Sequence, residues 1–205
     1  MKEISKEQLA MLLEAGYETR SIEFKPPFLW SDINSRWLKE KVVRAVLGMT
    51  NIRLGGQIII GVSENQNEII LEGLTDEQLD SFNDYDGIKG YIDGFSYTGT
   101  IFDISSGFFE NKKFIIFSIQ EFYEIPAICK KNGQERDILK KDIIYTRSIK
   151  APYSTIPVTD MELREIIHMA VDKEKYDLEV RGWIRKMGIE PEKFYKDNIQ
   201  DIEQI

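Results

Sequence analysis

The stretch Glu18-Thr19-Arg20-Ser21-Ile22-Glu23-Phe24-Lys25 sets two carboxylates and an ammonium on what reads as the first β-strand. Ile22 and Phe24 face one side of such a strand and Ser21 and Glu23 the other, and Pro26-Pro27 ends it. Glu18 and Glu23 lie five positions apart, so a regular pleat sends them to opposite faces. They converge only if the chain bends near Thr19. A converged acid pair is a common way of holding a hard divalent cation; the plainer reading is two solvated carboxylates at a strand entrance. Lys25 is assigned to the face opposite Glu23, so that a bulge is needed to unite them.

A chain of 205 residues is long enough to bury a core and usually makes one domain. Cys129 is the sole cysteine and His168 the sole histidine. No internal disulfide can form and no zinc site can be built from that pair, so any metal is expected to be oxygen-ligated. The N-terminal residues lack the apolar core of a signal peptide, and no apolar run approaches the roughly 20 residues of a membrane span. A cytoplasmic protein with no membrane partner is expected. The net charge of −8 is unevenly placed: residues 66–110 carry ten acids against one base, Lys89, which leaves +1 for the rest. Arg36, Lys39, Lys41, Arg44 and Arg53 form an early basic group, and Lys130, Lys131, Arg136, Lys140, Lys141, Arg147 and Lys150 a late one. Such a bipolar molecule can bind phosphates on one face despite its acidic total.

Outward from the opening stretch, Ser5-Lys6-Glu7-Gln8 fits a capping box, Leu9, Leu12 and Leu13 form an apolar stripe, and Gly16 stops that helix. Asp32 or Asn34 can cap a second helix reaching about Met49. Its apolar stripe is Leu38, Val42, Ala45, Val46 and Met49, and its opposite side carries Arg36, Lys39, Glu40 and Arg44. Gly55-Gly56 turns into Gln57-Ile58-Ile59-Ile60-Gly61-Val62, a continuous apolar run that reads as a buried strand. Glu68–Leu71 pairs back through the connection at residues 65–67, and Thr75-Asp76-Glu77-Gln78 opens another helix. Further strands are expected at Thr100–Ile104, Lys113–Ile119 and Ile143–Arg147. From Thr159-Asp160 the pattern turns helical, with Leu163, Ile166, Ile167 and Ala170 on one face, followed by Trp183, Ile184 and Met187. His168 lies in this tail and reads as structural. The whole is α+β: a mixed, mostly antiparallel sheet flanked by helices, with a domain over 1–160 and a helical C-terminal extension over 161–205.

Four blocks in order carry a resemblance: Glu18-x-x-Ser21-Ile22-Glu23-Phe24-Lys25, a helix ending Thr50-Asn51, Gly55-Gly56 leading into Ile60-Gly61-Val62, and Ile144-Tyr145-Thr146-Arg147-Ser148. Together they resemble the Schlafen AlbA_2 domain over most of residues 5–165. Met49-Thr50-Asn51-Ile52 stands where that family usually has Ala-Asn-Thr, and Ser148-Ile149 where it often has Gly-Ser. The resemblance implies an α+β fold and nucleic-acid binding. In vertebrate members and some relatives it implies a metal-dependent ribonuclease acting on tRNA and similar structured RNA. Glu18 and Glu23 match the spacing of the first two acids of those nucleases, and Glu64 occupies the place of a third acid that is usually aspartate.

On this reading Glu18, Glu23 and Glu64 would ligate Mg²⁺ or Mn²⁺, activating water and neutralising charge on a phosphate, and Lys25 would steady that phosphate. Arg36, Lys39 and Arg44 offer phosphate contacts along the second helix. Tyr145 and Arg147, two apart on one strand, offer a base-stacking ring and a guanidinium; packing within the sheet is the equal alternative. Phe28, Trp30 and Trp37 read as core anchors, and Gly55-Gly56 as a tight turn. The expected partners are RNA of tRNA type or DNA, and a second copy or another subunit, with Trp183–Ile205 as the candidate interface. Bacterial relatives in regulatory or phage-defence settings extend the expectation by resemblance only. The alternative function is a noncatalytic DNA-binding, regulatory or protein-interaction module whose acidic segment docks a basic partner.

Overall fold

The run Ile58-Ile59-Ile60 builds a strand whose side chains point alternately into two cores, which is why it reads as continuously apolar. The computed structural model describes residues 1–14, 16–65, 68–135, 137–188 and 190–192. In chain order its elements are β1 (Lys2–Glu3), α1 (Lys6–Glu14), β2 (Ile22–Lys25), a 3-10 turn (Ile33–Ser35), α2 (Arg36–Thr50), β3 (Gly56–Ile60), β4 (Val62–Asn65), β5 (Glu68–Leu71), α3 (Asp76–Asp80), α4 (Tyr85–Asp93), β6 (Phe102–Phe109), β7 (Lys112–Ile119), β8 (Tyr145–Arg147), β9 (Thr155–Pro157) and α5 (Asp160–Lys186). The chain divides into two units, Met1–Ile166 and Ile167–Ile205.

The main sheet runs β1-β6-β7-β3-β2, with two two-stranded hairpins, β4-β5 and β8-β9. Strands β2 and β3 are parallel neighbours joined through α2, as a βαβ crossover requires. Strand β7 lies antiparallel to both β3 and β6, and β1 adds in parallel to β6. With the two hairpins, four of the six pairings among the described residues are antiparallel. On one face Ile58, Ile60, Ile115 and Phe117 meet the α2 stripe and Ile88 and Ile92 of α4. On the other, Phe24, Ile59, Phe114 and Ile116 meet Leu9 and Leu13 of α1 and Val62 of β4.

Local chemistry explains the element ends. Ser5 and Gln8 exchange the two bonds of a capping box, and Thr75 and Gln78 repeat it at α3. Glu110 and Asn111 both hold positive φ, the two-residue turn that joins β6 to β7. Helix α4 forms through Gly87 and Gly90 because the Asp84 side chain caps the Gly87 N–H at 2.9 Å. Strands β1 and β9, of two and three residues, carry no periodic signal and are additions to the sequence expectation.

Two expectations are corrected. Glu40, assigned to the polar side of α2, is 1% exposed. Its carboxylate accepts the N–H groups of Gln134 (2.7 Å) and Glu135 (3.2 Å), so a loop's need for an acceptor overrides the helical stripe. In α5, Leu163 and Ile167 are exposed and Ile166 and Met169 are buried, a face rotated from the expected one. Trp183 and Met187 are exposed. Ile184 of the expected interface is buried, and its residues 189 and 193–205, with Arg136 of the late basic group, lie outside the described residues.

Asn51 closes the helix that carries the site. Fully buried, it donates from Nδ2 to the carbonyls of Ala127 and Tyr145 and accepts the Ala127 N–H at Oδ1, each at 2.8 Å. Substitution Asn51→Ala leaves three buried backbone groups without partners. The expected loss is about 3 kcal/mol, read as a lower urea midpoint at unchanged slope; a change below about 1 kcal/mol would contradict the assignment.

Candidate functional site

The chain does bend at Thr19: its N–H reaches back from the turn to the Ile22 carbonyl at 3.0 Å. That bend lets the Glu18 carboxylate accept the Phe24 N–H at 2.8 Å while Glu23 leaves the regular strand on the same side. Both acids meet Arg147, which arrives from β8 with its side chain wholly buried. Its Nη1 pairs with Glu23, and its Nη2 lies 3.9 Å from Glu18 Oε2. The same guanidinium donates to the carbonyls of Thr19 (2.7 Å) and Arg20 (3.2 Å) and to Thr155 Oγ1 (3.2 Å). In return Arg20 donates to the Arg147 carbonyl at 3.1 Å and grips Glu165 of α5 with both terminal nitrogens.

Lys25 forms an ion pair with Glu23 and donates to the Phe24 carbonyl. The expected separation of Lys25 from Glu23 is thereby corrected: residues two apart in an unbroken ladder share a face, so no bulge is involved. Glu23 therefore has a cation on each oxygen. Burial pushes the Glu18 carboxyl up to about 7; Lys25 opposes the shift, Glu23 adds to it, and the Phe24 amide and Arg147 oppose it.

The basic residues of α2 divide into two groups. At about 100° per residue, Trp37, Lys41 and Arg44 share one stripe while Arg36 and Lys39 fall away from it. Lys41 is sensed electrostatically by Lys25, Glu23 and Arg44, whereas Lys39 has Asp32 and Arg36 for neighbours. Burial lowers the Lys41 ammonium, with Lys25 and Arg44 adding to that effect and Glu23 opposing it. Arg44 donates to the Thr155 carbonyl at 2.6 Å and stacks 5.2 Å from the Tyr145 ring centroid; its buried Nε has no hydrogen-bond partner. Neither Lys41 nor Arg44 makes an ion pair among the described residues.

The remaining expected residues lie elsewhere. Glu64 is exposed on the β4-β5 hairpin, opposite Ile69. Tyr145 and Arg147 are 2% and 0% exposed, with the tyrosine hydroxyl accepting the Lys140 N–H at 2.8 Å. A base cannot stack on that ring nor a phosphate reach that guanidinium in this arrangement. Phe28 and Trp30 are core residues as expected, but Trp37 is 42% exposed and lies outside both cores, which corrects its assignment as an anchor. The signal that finds Trp37 and Lys41 is their i, i+4, i+7 spacing with Arg44.

Among the described residues no group of three or more His, Cys, Asp or Glu side chains is placed to hold a metal ion. Glu18 and Glu23 offer two carboxylates, already balanced by Lys25 and Arg147, and Glu64 does not join them. The donor set therefore does not fit an all-protein divalent cage. Among the described residues no helix is long and apolar enough to cross a membrane.

No family model matches the chain, and no curated protein matches it. Two of the solved structures that resemble it are these. One is a protein from Corynebacterium diphtheriae, 18% identical with a TM-score of 0.46, over 74% of this chain and 26% of that one. The other is the N-terminal domain of a RecG-related protein from Nitrosomonas europaea, 16% identical with a TM-score of 0.43, over 67% of this chain and 88% of that one. The chain thus spans about a quarter of the corynebacterial protein.

Glu18 gives a pH test. Its folded-state value is raised from 4.5 to about 7, so its stabilising contribution is complete below 4.5 and is lost as pH rises through about 7. Between pH 5 and 7.5 the thermal midpoint of the wild type should fall relative to that of Glu18→Gln, whose amide does not titrate. A constant difference across the range would refute the shift. Removing the shared cation by Arg147→Met leaves Glu23 with one partner and should destabilise by about 3–5 kcal/mol in denaturant unfolding.

Proposed function

We propose that this chain is a Schlafen-like nucleic-acid-binding protein that grips backbone phosphates on the α2 face formed by Lys41 and Arg44, beside Lys25. One observation carries the reading. Lys41 and Arg44 stand together without ion-pair partners among the described residues, and Arg44 keeps a buried donor unused. A phosphate would neutralise both charges at once. The four ordered sequence blocks that resemble the Schlafen AlbA_2 domain support the same assignment. The acid pair serves this arrangement as a counter-charge that positions Lys25 and leaves the outer cations free.

A second reading, a metal-dependent endoribonuclease acting on tRNA or other structured RNA, with a phage-defence setting by resemblance, is favoured by the convergence of Glu18 and Glu23 next to these cations. It requires Mg²⁺ or Mn²⁺ ligands beyond the two carboxylates, supplied by water or by substrate phosphate. Cleavage of a labelled panel of tRNA, single-stranded RNA and DNA, dependent on Mg²⁺ or Mn²⁺ and lost in Glu18→Ala/Glu23→Ala, would establish it. Binding without cleavage leaves the first reading. A homodimer belongs to the same proposal, since one copy of the fold presents one basic face; light scattering with nucleic acid present measures it.

The electrostatic premise has its own test. Binding of a labelled oligonucleotide should weaken steeply as salt rises. In Lys41→Gln/Arg44→Gln the log–log slope should flatten by about 0.7–0.9 for each phosphate that the protein no longer neutralises. Salt-independent binding by the wild type would overturn the proposal.

A further inference from the structure

We infer that Trp37, Lys41 and Arg44 form a clamp for an unpaired nucleotide, the indole stacking a base whose phosphate sits between the two cations. The inference rests on the phosphate-binding reading above and narrows it to single-stranded or locally unpaired nucleic acid. Trp37 occupies the first turn of α2 and is 42% exposed, although the other aromatic residues of this region, Phe28, Trp30 and Phe82, are buried and packed against one another in tilted and edge-on contacts. Lys41 lies one turn further along, with its ammonium 4.4 Å from the indole centroid. Arg44 follows within another turn, so the three residues span about 10 Å along one stripe.

The chemistry selects the ligand. Trp37 adds no aromatic packing to either core, yet its ring is oriented by Lys41 and therefore presented rather than loose. An indole that is 42% exposed, with Lys41 over its ring and Arg44 beyond, brings together the two needs of a single strand: aromatic surface for the base and positive charge for the backbone. A base within a duplex is stacked between its neighbours and turned toward the helix axis, whereas an unpaired base is free to swing onto the ring. Because every base has a π-face, the clamp discriminates by pairing state and weakly by sequence. The glycine turn at Gly55-Gly56 does not compete for this role, since the Leu54 N–H is already taken by the Glu121 carboxylate at 2.7 Å.

The test uses the full chain with a fluorescein-labelled single strand of RNA, a single strand of DNA, and the matching duplexes, at low salt. The variants are Trp37→Ala, Trp37→Phe and Lys41→Gln. Expected is a loss of about tenfold or more in single-strand affinity for Trp37→Ala, with duplex affinity and salt slope unchanged and most affinity retained by Trp37→Phe. Lys41→Gln should weaken both single strand and duplex. Indole emission should be quenched by single strands in the wild type, with the Trp37 share identified by its absence in Trp37→Phe, which keeps the other two tryptophans. An equal loss on duplex and single strand, or no loss on either, overturns the clamp while leaving phosphate binding in place. Absence of binding to every probe overturns the phosphate reading, and the clamp with it.

Discussion

A guanidinium with no exposed surface has to find acceptors for its donors inside the protein, and the way Arg147 does so organises the surrounding structure. Three main-chain carbonyls, Thr19, Arg20 and Ile22, turn toward it, and Glu23 and Thr155 complete the set. Turning those carbonyls inward produces the bend before β2. The bend in turn brings Glu18 alongside Glu23. The pair would repel if left alone; Arg147 and Lys25 together make it tolerable, while burial, with Glu23 adding to it, pushes the Glu18 carboxyl up to about 7. Buried ion pairs of this kind give little net stability but are costly to break, so the cluster fixes the position of β8 against β2 more than it strengthens the fold.

Helix α2 is drawn into the same arrangement. Gly48 lets it approach the β8-β9 hairpin so closely that a Cβ would lie 2.6 Å from the Thr155 methyl, and Asn51 ties its end to the strand that carries Arg147. Arg44 donates to the carbonyl of Thr155, whose hydroxyl Arg147 uses. The helix is thereby locked in rotation, with Trp37 and Lys41 exposed along one stripe and Arg44, partly buried, at its end against the β8-β9 hairpin. Within the acidic segment Asp93 holds Lys89 and both donors of Thr100, Asp76 holds Lys113, and Asp84 caps α4.

Much of the fold was legible because it rests on local chemistry. The capping boxes at Ser5 and Thr75, the glycine stop at Gly16 with φ of 66°, the α2 stripe and the isoleucine run follow from spacing alone. What escaped depends on partners distant in sequence. Glu40 looks like a surface acid until residues 134–135 present amides that need an acceptor. Arg147 looks like a phosphate ligand until the Thr19 bend supplies carbonyls 128 residues away. The site was half legible for the same reason: the Glu18 and Glu23 convergence follows from the bend, whereas the division of the basic α2 residues depends on which side of the helix β8 and β9 cover.

The two conspicuous sequence signals, the glycine pair and the acid pair, therefore have structural explanations, which leaves the basic stripe of α2 as the feature to which the proposed binding is assigned. Gly55 holds a φ of 66° with the Ile119 carbonyl against the place a Cβ would occupy, so close packing and backbone geometry alone require glycine there. A carboxylate already caps the amide of the preceding residue, which makes the turn electrostatically unfavourable for a phosphate. The acid pair is balanced inside the fold by two cations. Neither explanation extends to Lys41 and Arg44, whose side chains are oriented by Trp37 and Tyr145 rather than neutralised. A helix that buries ten of its fifteen residues yet holds these cations beside a partly exposed indole sets positive charge and aromatic surface side by side, the two features on which the proposed nucleotide clamp relies.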